Sequence, residues 1–215
     1  MAHVHLQDGS FSLFWVVVWW AAALVLIGVS LLILRSRKTD QKKITVAAFC
    51  TAAAFAVFQV SIPIFGGVHL TLTPLIGILT GPLTGSLVVL IVNILSAAIG
   101  HGGYGLIGAN TLINIVEVSV GYAVFRLSKP LMPGLFPRAG IATVLGLLCG
   151  NVAMILIILV SGIQGVSQDM SAVLGGLSLI AAINMGVAVV EAFITGLIIA
   201  YIGKVRPDML GSGGP

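Results

Sequence analysis

The residues best suited to chemistry stand at the amino terminus, Met1-Ala-His-Val-His-Leu-Gln-Asp-Gly9. His3 and His5 lie within five residues of the terminal amine, and a hydrophobic run that begins at Phe11 holds them near a membrane surface. A terminal amine, the backbone amides after it and a nearby imidazole can bind one metal ion in a plane. Square-planar nitrogen sites suit Ni(II) and Cu(II), whereas Zn(II) prefers a tetrahedron.

Two ligand registers are open for this terminus. If Met1 is retained, Met1, Ala2 and His3 supply one amine, two amides and one imidazole, which is a complete four-nitrogen set. If Met1 is removed, Ala2 and His3 supply three nitrogens, and the fourth comes from His5 or His69. The residue types do not choose between these registers.

The composition predicts an integral membrane protein. The chain is 59% hydrophobic and 7% charged, with a mean hydropathy of +1.19, whereas soluble domains carry about a quarter charged residues. The alternating pattern of a transmembrane barrel is absent, so the predicted fold is all-α. Membrane topology accounts for the net charge of +4, and no nucleic-acid partner is expected.

Seven transmembrane helices are predicted, at about 11–34, 44–60, 70–80, 83–99, 106–127, 139–160 and 172–202. The Gly81-Pro82 step should break the apolar run 70–99 into two antiparallel elements. We expect one transmembrane domain over residues 1–210, followed by a flexible tail at 211–215.

The distribution of basic residues predicts the orientation. With seven crossings and an external amino terminus, all ten Lys and Arg fall on the cytoplasmic side, where basic residues concentrate. All four histidines, His3, His5, His69 and His101, then fall on the outer side. A single crossing over 70–99 would instead split the basic residues between both sides.

Two acids, Glu117 and Glu191, fall near the middle of predicted spans, where ionisable groups normally face the protein interior. One interpretation is a relay that couples the two sides of the membrane. The other, which we favour, is a hydrogen-bonded seam that fixes helix packing. Asn110, Asn114 and Glu117 lie on one helical face by their spacings of four and three, and Asn184 shares a face of the last span with Glu191. Asn93 and Asn151 could join the same polar interior.

The second predicted helix carries small residues at four-residue spacing, Ala48, Ala52 and Ala56. Such a stripe lets another helix approach closely. The approaching helix could belong to this chain or to another subunit.

Several segments give the chain a family resemblance. It resembles the CbiM/NikM family, the substrate-capture components of energy-coupling-factor transporters for cobalt and nickel. The segments similar to family motifs are, in chain order, His5-Leu6-Gln7-Asp8-Gly9, His69-Leu70, His101-Gly-Gly103 with Gly108-Ala-Asn110, Glu191 with Thr195, and Val205-Arg-Pro-Asp208. Together they run through nearly the whole chain.

The resemblance implies a six-helix core at about 44–202 and an added first helix at about 11–34 that carries the terminus into the site. It implies a metal bound by the terminal amine, the next amide, the adjacent histidine and a second histidine, which corresponds to His69. In the family the adjacent histidine follows the initiator Met, whereas Met1-Ala-His3 is extra here. Either His3 is the terminal chelator, or the site uses both His3 and His5. Supporting roles are implied for Asp8, His101 and Asn110.

The function implied by the resemblance is capture of Ni(II) or Co(II) outside the plasma membrane for uptake by an importer. Its partners are a transmembrane coupling subunit, a cytosolic ATPase pair and often a small accessory membrane protein, all in the lipid bilayer or at its surface. The Ala48-Ala52-Ala56 stripe would be the docking face for the coupling subunit. No phosphate loop of the Walker type occurs, so ATP hydrolysis is expected in the partners.

Two alternatives stay open on the residues alone. A membrane enzyme could use a surface-bound metal, with Asp8, Glu117 or Glu191 as its base. A membrane metal sensor could bind the same ion without moving it.

Overall fold

A computed structural model of the chain describes residues 9–36, 41–59, 61–62, 68–100, 102–163 and 170–210. Within these ranges the fold is all-α, apart from one pair of two-residue strands, β1 (Ser61–Ile62) and β2 (Val68–His69), which are antiparallel. The described helices are α1 (Leu13–Ser36), α2 (Gln41–Phe58), α3 (Thr73–Thr80), α4 (Pro82–Ala98), α5 (Ile107–Leu127), α6 (Leu135–Ser161) and α7 (Met170–Val205). Short 3-10 helices cover Tyr104–Leu106 and Pro207–Leu210.

Four stretches in the described part of the chain are long and apolar enough to cross a membrane: Leu13–Ser36, Tyr104–Leu127, Leu135–Ser161 and Val173–Val205. Ile44–Phe58 and Pro82–Ala98 are shorter apolar helices. Large apolar side chains such as Leu24, Leu156 and Phe193 are exposed on the outside of the bundle. Lipid is the solvent for such a surface, so the chain is a multi-pass membrane protein.

The short helix α3 forms the centre of the bundle. Its residues from Thr73 to Ile78 are all buried, and it packs against α5 above all, with further contacts to α2, α4, α6 and α7. A Cβ atom at Gly77 would overlap the carbonyl oxygen of Val118, and one at Gly121 would lie 2.9 Å from Pro74 Cβ. These glycines let the backbones of α3 and α5 touch.

The predicted break between α3 and α4 is confirmed. Gly81, with φ 80°, ends α3 and precedes α4, which starts at Pro82. Thr71 and Asn93 line one small cavity with Ile76 and Val89, so α4 runs back along α3 in the opposite direction. The start of the first element was predicted too early, because Leu72 adopts a left-handed conformation, φ 56°, and His69 belongs to β2.

The start of the sixth helix, predicted at about residue 139, was wrong by four residues. Helix α6 begins at Leu135, because proline is tolerated in the first turn of a helix, where Pro137 stands. Arg138 is therefore helical and buried, and its guanidinium carbon lies 4.1 Å from the centre of the Phe125 ring. At this distance the guanidinium group and the ring make a cation–π contact.

The contact between α3 and α5 leads to a stability prediction. Gly77→Ala should destabilise the fold by about 1–3 kcal/mol, because the new methyl group forces apart two backbones that touch. Gly28→Ala is the matched control, since nothing lies within 4 Å of a Cβ atom at Gly28. Thermal unfolding in the same detergent measures both, and equal midpoints for the two variants would contradict the packing described here.

Candidate metal site

The buried histidine of the site is His69, which is 3% exposed. It lies on β2 opposite Ser61 of β1. The left-handed residue Leu72, which precedes α3, follows three residues later. The centre of its ring is 5.5 Å from that of Phe58, and the two planes are tilted by 36°. The strand pair and the last turn of α2 therefore fix the position of this imidazole.

A cavity of about 90 Å³ lies at the same end of the bundle, here called the His69 end. Phe58, which contacts His69, and Thr71, two residues after it, are both part of the cavity wall. Most of the wall is apolar, from α5, α6 and α7. The polar residues that line it are Thr71, Asn93, Ser96, Asn110 and Asn114.

Two polar atoms in this wall are buried without a hydrogen-bond partner among the described residues, Ser96 Oγ and Asn114 Oδ1. Buried polar groups normally have partners. The cavity is therefore chemically suited to a polar occupant, such as water or a polar segment of the chain.

The described chain enters the bundle at this cavity. Phe11 is 4% exposed, lines the cavity and packs in a cluster with Leu106, Ala109 and Ile113. An extended chain covers at most about 3.6 Å per residue. Residue 5 is thus within about 14 Å of Gly9, and residue 3 within about 22 Å.

The start of α1 is tied to the bundle by three contacts. Trp19 Nε1 donates to Ser161 Oγ at 2.8 Å, and Trp20 Nε1 donates to the carbonyl oxygen of Tyr104 at 3.1 Å. A Cβ atom at Gly108 would lie 2.5 Å from the backbone nitrogen of Trp20. Glycine at position 108 therefore lets α1 pack directly on the start of α5.

The predicted site residues are only partly described by the structure. His69 and Asn110 lie at the His69 end, with Asn110 in the cavity wall. The predicted ligands Met1, Ala2, His3 and His5, and the predicted supporting residues Asp8 and His101, lie outside the described residues. The described part of the chain contains no group of three or more His, Cys, Asp or Glu that could hold a metal ion.

Sequence reasoning missed two aromatic residues of the cavity, Phe11 and Phe58. Phe11 had a usable signal, because it is the first apolar residue after the polar terminus. Phe58 had none, since one phenylalanine in an apolar helix has no distinguishing pattern. The hydrogen bonds of Trp19 and Trp20 on α1 could not be foreseen without knowing the fold.

The predicted polar interior is confirmed. Asn93 Nδ2 donates to Thr111 Oγ1 at 3.1 Å, and Asn114 Nδ2 donates to Asn93 Oδ1 at 3.4 Å. Asn184 Nδ2 donates to Asn151 Oδ1 at 2.7 Å, which joins α6 to α7. The seam extends from the cavity wall into the middle of the bundle.

Comparison with known proteins gives consistent matches. A family model described as "Cobalt uptake substrate-specific transmembrane region" matches residues 5–209. A putative cobalt transport protein CbiM 1 of Methanocorpusculum labreanum is 29% identical over 96% of this chain and 92% of its own length. A putative fused nickel transport protein NikMN of Archaeoglobus fulgidus is 29% identical over 96% of this chain and 68% of its own.

A solved structure described as a transition metal transporter has the same fold. Its TM-score to this chain is 0.80 at 22% sequence identity, and the match covers 94% of this chain and 93% of that one. The helical arrangement described above is thus one already seen in a crystal structure.

The packing of Gly108 on α1 leads to a prediction about the site. Gly108→Leu should push away the start of α1, which carries the terminal residues, and should weaken Ni(II) or Co(II) binding on the order of tenfold, the effect of about 1.4 kcal/mol. Gly28→Leu on the same helix is the control, because its surroundings are open. Calorimetric titration compares them, and an unchanged affinity in Gly108→Leu would show that the site does not need this contact.

Proposed function

The chain belongs to the CbiM family of cobalt-uptake substrate-specific transmembrane proteins, and from this premise we propose that it captures Ni(II) or Co(II) for an ATP-driven importer. It is the substrate-binding subunit of an energy-coupling-factor transporter, and the ion is its cargo. The observation that carries the proposal is the position of His69. This buried imidazole stands beside a cavity at the point where the amino-terminal segment joins the bundle.

The proposed ligands are nitrogen atoms of the terminus and of His69. The terminal amine and amides come from Met1 and Ala2, with the imidazole of His3, or of His5, closing the chelate. The tether at Gly9 keeps these groups within reach of the His69 end. Nitrogen donors accept both Ni(II) and Co(II), and the donor set alone does not select one of them.

Polar neighbours would orient the proposed ligands. Asn110 in the cavity wall, with Asp8 and His101, would orient the ligands, as groups around a metal site usually do. Ser96 Oγ and Asn114 Oδ1 offer further hydrogen-bond acceptors to the terminal segment.

The proposed orientation places the His69 end outside the cell. Arg35, Arg126 and Lys204 stand in the last turns of α1, α5 and α7, and these three helices all end away from His69. Basic residues concentrate on the cytoplasmic side. With α3 counted as a crossing completed by residues 69–72, the chain crosses seven times and has its amino terminus outside.

The proposed docking face for the transmembrane coupling subunit is the Ala48-Ala52-Ala56 stripe. All three alanines are exposed, whereas Ala54 on the opposite side of α2 is 1% exposed and packs in a cluster with Ile76 and Val88. The stripe is thus not used for packing within the described chain. Small side chains on a lipid-facing helix favour close approach of a partner helix. The ATPase pair and any accessory protein would join through that subunit.

No observation favours the membrane-enzyme alternative. Glu117 and Glu191, two of its three candidate bases, are each 1% exposed. Neither lines the large cavity at the His69 end.

The terminal amine gives the most direct test of the site. Acetylating the terminus, or adding residues before Met1, should abolish tight Ni(II) binding in a calorimetric titration, because the amine closes the chelate ring. Residues added after Pro215 are the control and should change nothing. An acetylated protein with unchanged affinity would remove the amine from the site.

Histidine variants then distinguish the registers. His69→Ala should weaken binding strongly if the terminus supplies three nitrogens, and only mildly if Met1, Ala2 and His3 supply all four. A comparison of His3→Ala with His5→Ala identifies the terminal chelator, since only its loss should reduce affinity as much as acetylation does.

The docking face is tested by Ala52→Leu. The bulky side chain should reduce co-purification of the coupling subunit with this chain, while Ni(II) binding by the isolated chain stays unchanged. Ala182→Leu, at an exposed alanine of α7, is the control and should leave assembly intact. Normal assembly of the Ala52→Leu variant would place the docking face elsewhere.

A further inference from the structure

A buried arginine stands at the end of the bundle that is farthest from His69. Arg138 is 8% exposed, and its Nε atom is buried with no hydrogen-bond partner among the described residues. The face of the Phe125 ring attracts its charge, but a phenylalanine ring offers no oxygen atom to the N–H groups of the guanidinium. A buried charge normally has an opposite charge beside it. This side chain is therefore suited to binding an anion.

The charge that acts on Arg138 from the end of α5 has the same sign. It belongs to Arg126, in the last turn of that helix, whose guanidinium carbon lies 5.5 Å from the centre of the Tyr122 ring. Tyr122 and Phe125 are three residues apart and share a face of α5, so both arginines pack against the same face of this helix end. Two like charges in one place repel each other, and an anion bound to both would relieve the repulsion.

The acids in the described part of the chain have other partners. Glu117 and Glu191 accept hydrogen bonds from threonines at the start of α3 or just before it, toward the His69 end. Asp208 accepts two hydrogen bonds from Arg206, at 3.1 Å and 3.2 Å. Within the described ranges, Arg138 makes no ion pair and no side-chain hydrogen bond. The anion that suits it must therefore come from outside this part of the chain.

The start of α6 offers further donors to the same anion. Arg138 is the fourth residue of α6, and long side chains on a helix lean toward its amino end. Gly134 stands at the cap position, and no side chain of the described residues caps this end. The first N–H groups of a helix carry partial positive charge and bind phosphate readily. The helix start and the buried guanidinium together suit a group with several acceptor oxygens.

Apolar side chains beside this helix end favour a lipid over a free anion. Leu127 directly follows Arg126 and is 75% exposed, and Leu131 is 81% exposed. In a membrane, such side chains meet the acyl chains of lipids. Basic clusters next to a membrane attract anionic lipids. Further exposed basic residues at this end are Arg35, Lys129 and Lys204.

We propose that Arg138, Arg126 and the start of α6 bind the phosphate group of one anionic lipid. An arginine donates two parallel hydrogen bonds to two phosphate oxygens, and the acyl chains of the lipid lie against Leu127 and Leu131. The phosphate supplies the opposite charge that the buried guanidinium lacks. In the proposed orientation this lipid belongs to the cytoplasmic leaflet. The lipid site goes beyond the proposed function and does not rest on it.

Native mass spectrometry of the full chain, purified in detergent, tests the site. The two probes are phosphatidylglycerol, which is anionic, and phosphatidylcholine with the same acyl chains, which has a phosphate group but no net charge. One phosphatidylglycerol per chain should stay bound at collision energies that remove other lipids, and about tenfold more chains should retain it than retain phosphatidylcholine. Equal retention of the two lipids would overturn the proposal.

A charge-matched pair of variants locates the site. Arg138→Gln should reduce retention of phosphatidylglycerol about tenfold, because it removes both the charge and the paired donors. Arg138→Lys should recover only part of the binding, since an ammonium group lacks the planar fork. Arg35→Gln removes the same charge from an exposed position at the same end and should leave retention unchanged. An equal loss in Arg35→Gln would overturn the site, because diffuse attraction to a basic surface would then explain the binding.

Arg126→Gln keeps the test valid if the Arg138 variants do not fold, because the Arg126 side chain is exposed. It should weaken retention several-fold, and wild-type retention in this variant would overturn the paired-arginine site. Inorganic phosphate added to the wild type should not displace the lipid. Displacement would overturn the lipid as the ligand and assign the site to free phosphate.

Discussion

The backbone just before α3 imposes the constraint on which the rest of the structure depends. A membrane protein tolerates non-helical backbone at membrane depth only where protein or a polar cavity satisfies its N–H and C=O groups. Residues 69–72 are such a stretch, since His69 belongs to a strand and Leu72 is left-handed. The Thr71 N–H group finds its acceptor in Glu191 Oε2. The buried acid on α7 is thus explained first as a partner for this backbone.

Because α3 is only eight residues long, it spans about 12 Å of a hydrocarbon core about 30 Å thick. The remaining depth at the His69 end is filled by the strand pair, the cavity and the side chains around them. A full-length helix here would leave no room for a buried histidine beside a cavity. The short length of α3 therefore makes the space in which the candidate site lies.

Close helix contacts hold Glu117 in this arrangement. A Cβ atom at Gly150 would overlap the carboxyl group of Glu117, and one at Gly146 would lie 3.0 Å from the Glu117 carbonyl oxygen. Glycine on α6 thus makes the space that the acid occupies, and the acid reaches Thr73 on α3 from there. The hydrogen-bonded interior therefore depends on Gly146 and Gly150 as much as on its polar side chains.

The sequence was sufficient for the parts of this fold that follow from local chemistry. Apolar runs located the helices, Gly81-Pro82 located the break, and helical spacing grouped Asn114 with Glu117. It failed where tertiary context decides, at the left-handed Leu72 and at the start of α6, where Pro137 lies within the first turn. Thr71 and Thr73 carried no signal, because threonines are common in membrane helices. The terminal ligands lie outside the described residues, and they remain predictions.

Helix α1 shows how the site and the rest of the chain are coupled. Ala23, Ile27 and Ser30 are its buried residues, so lipid rather than protein surrounds most of its length. Its specific contacts are concentrated near its start, where Trp19 and Trp20 donate hydrogen bonds and Gly108 admits its backbone. In a membrane, apolar character alone keeps such a helix inserted, so these contacts are not needed for insertion. These contacts instead determine where Phe11 lies, in the wall of the cavity at the His69 end.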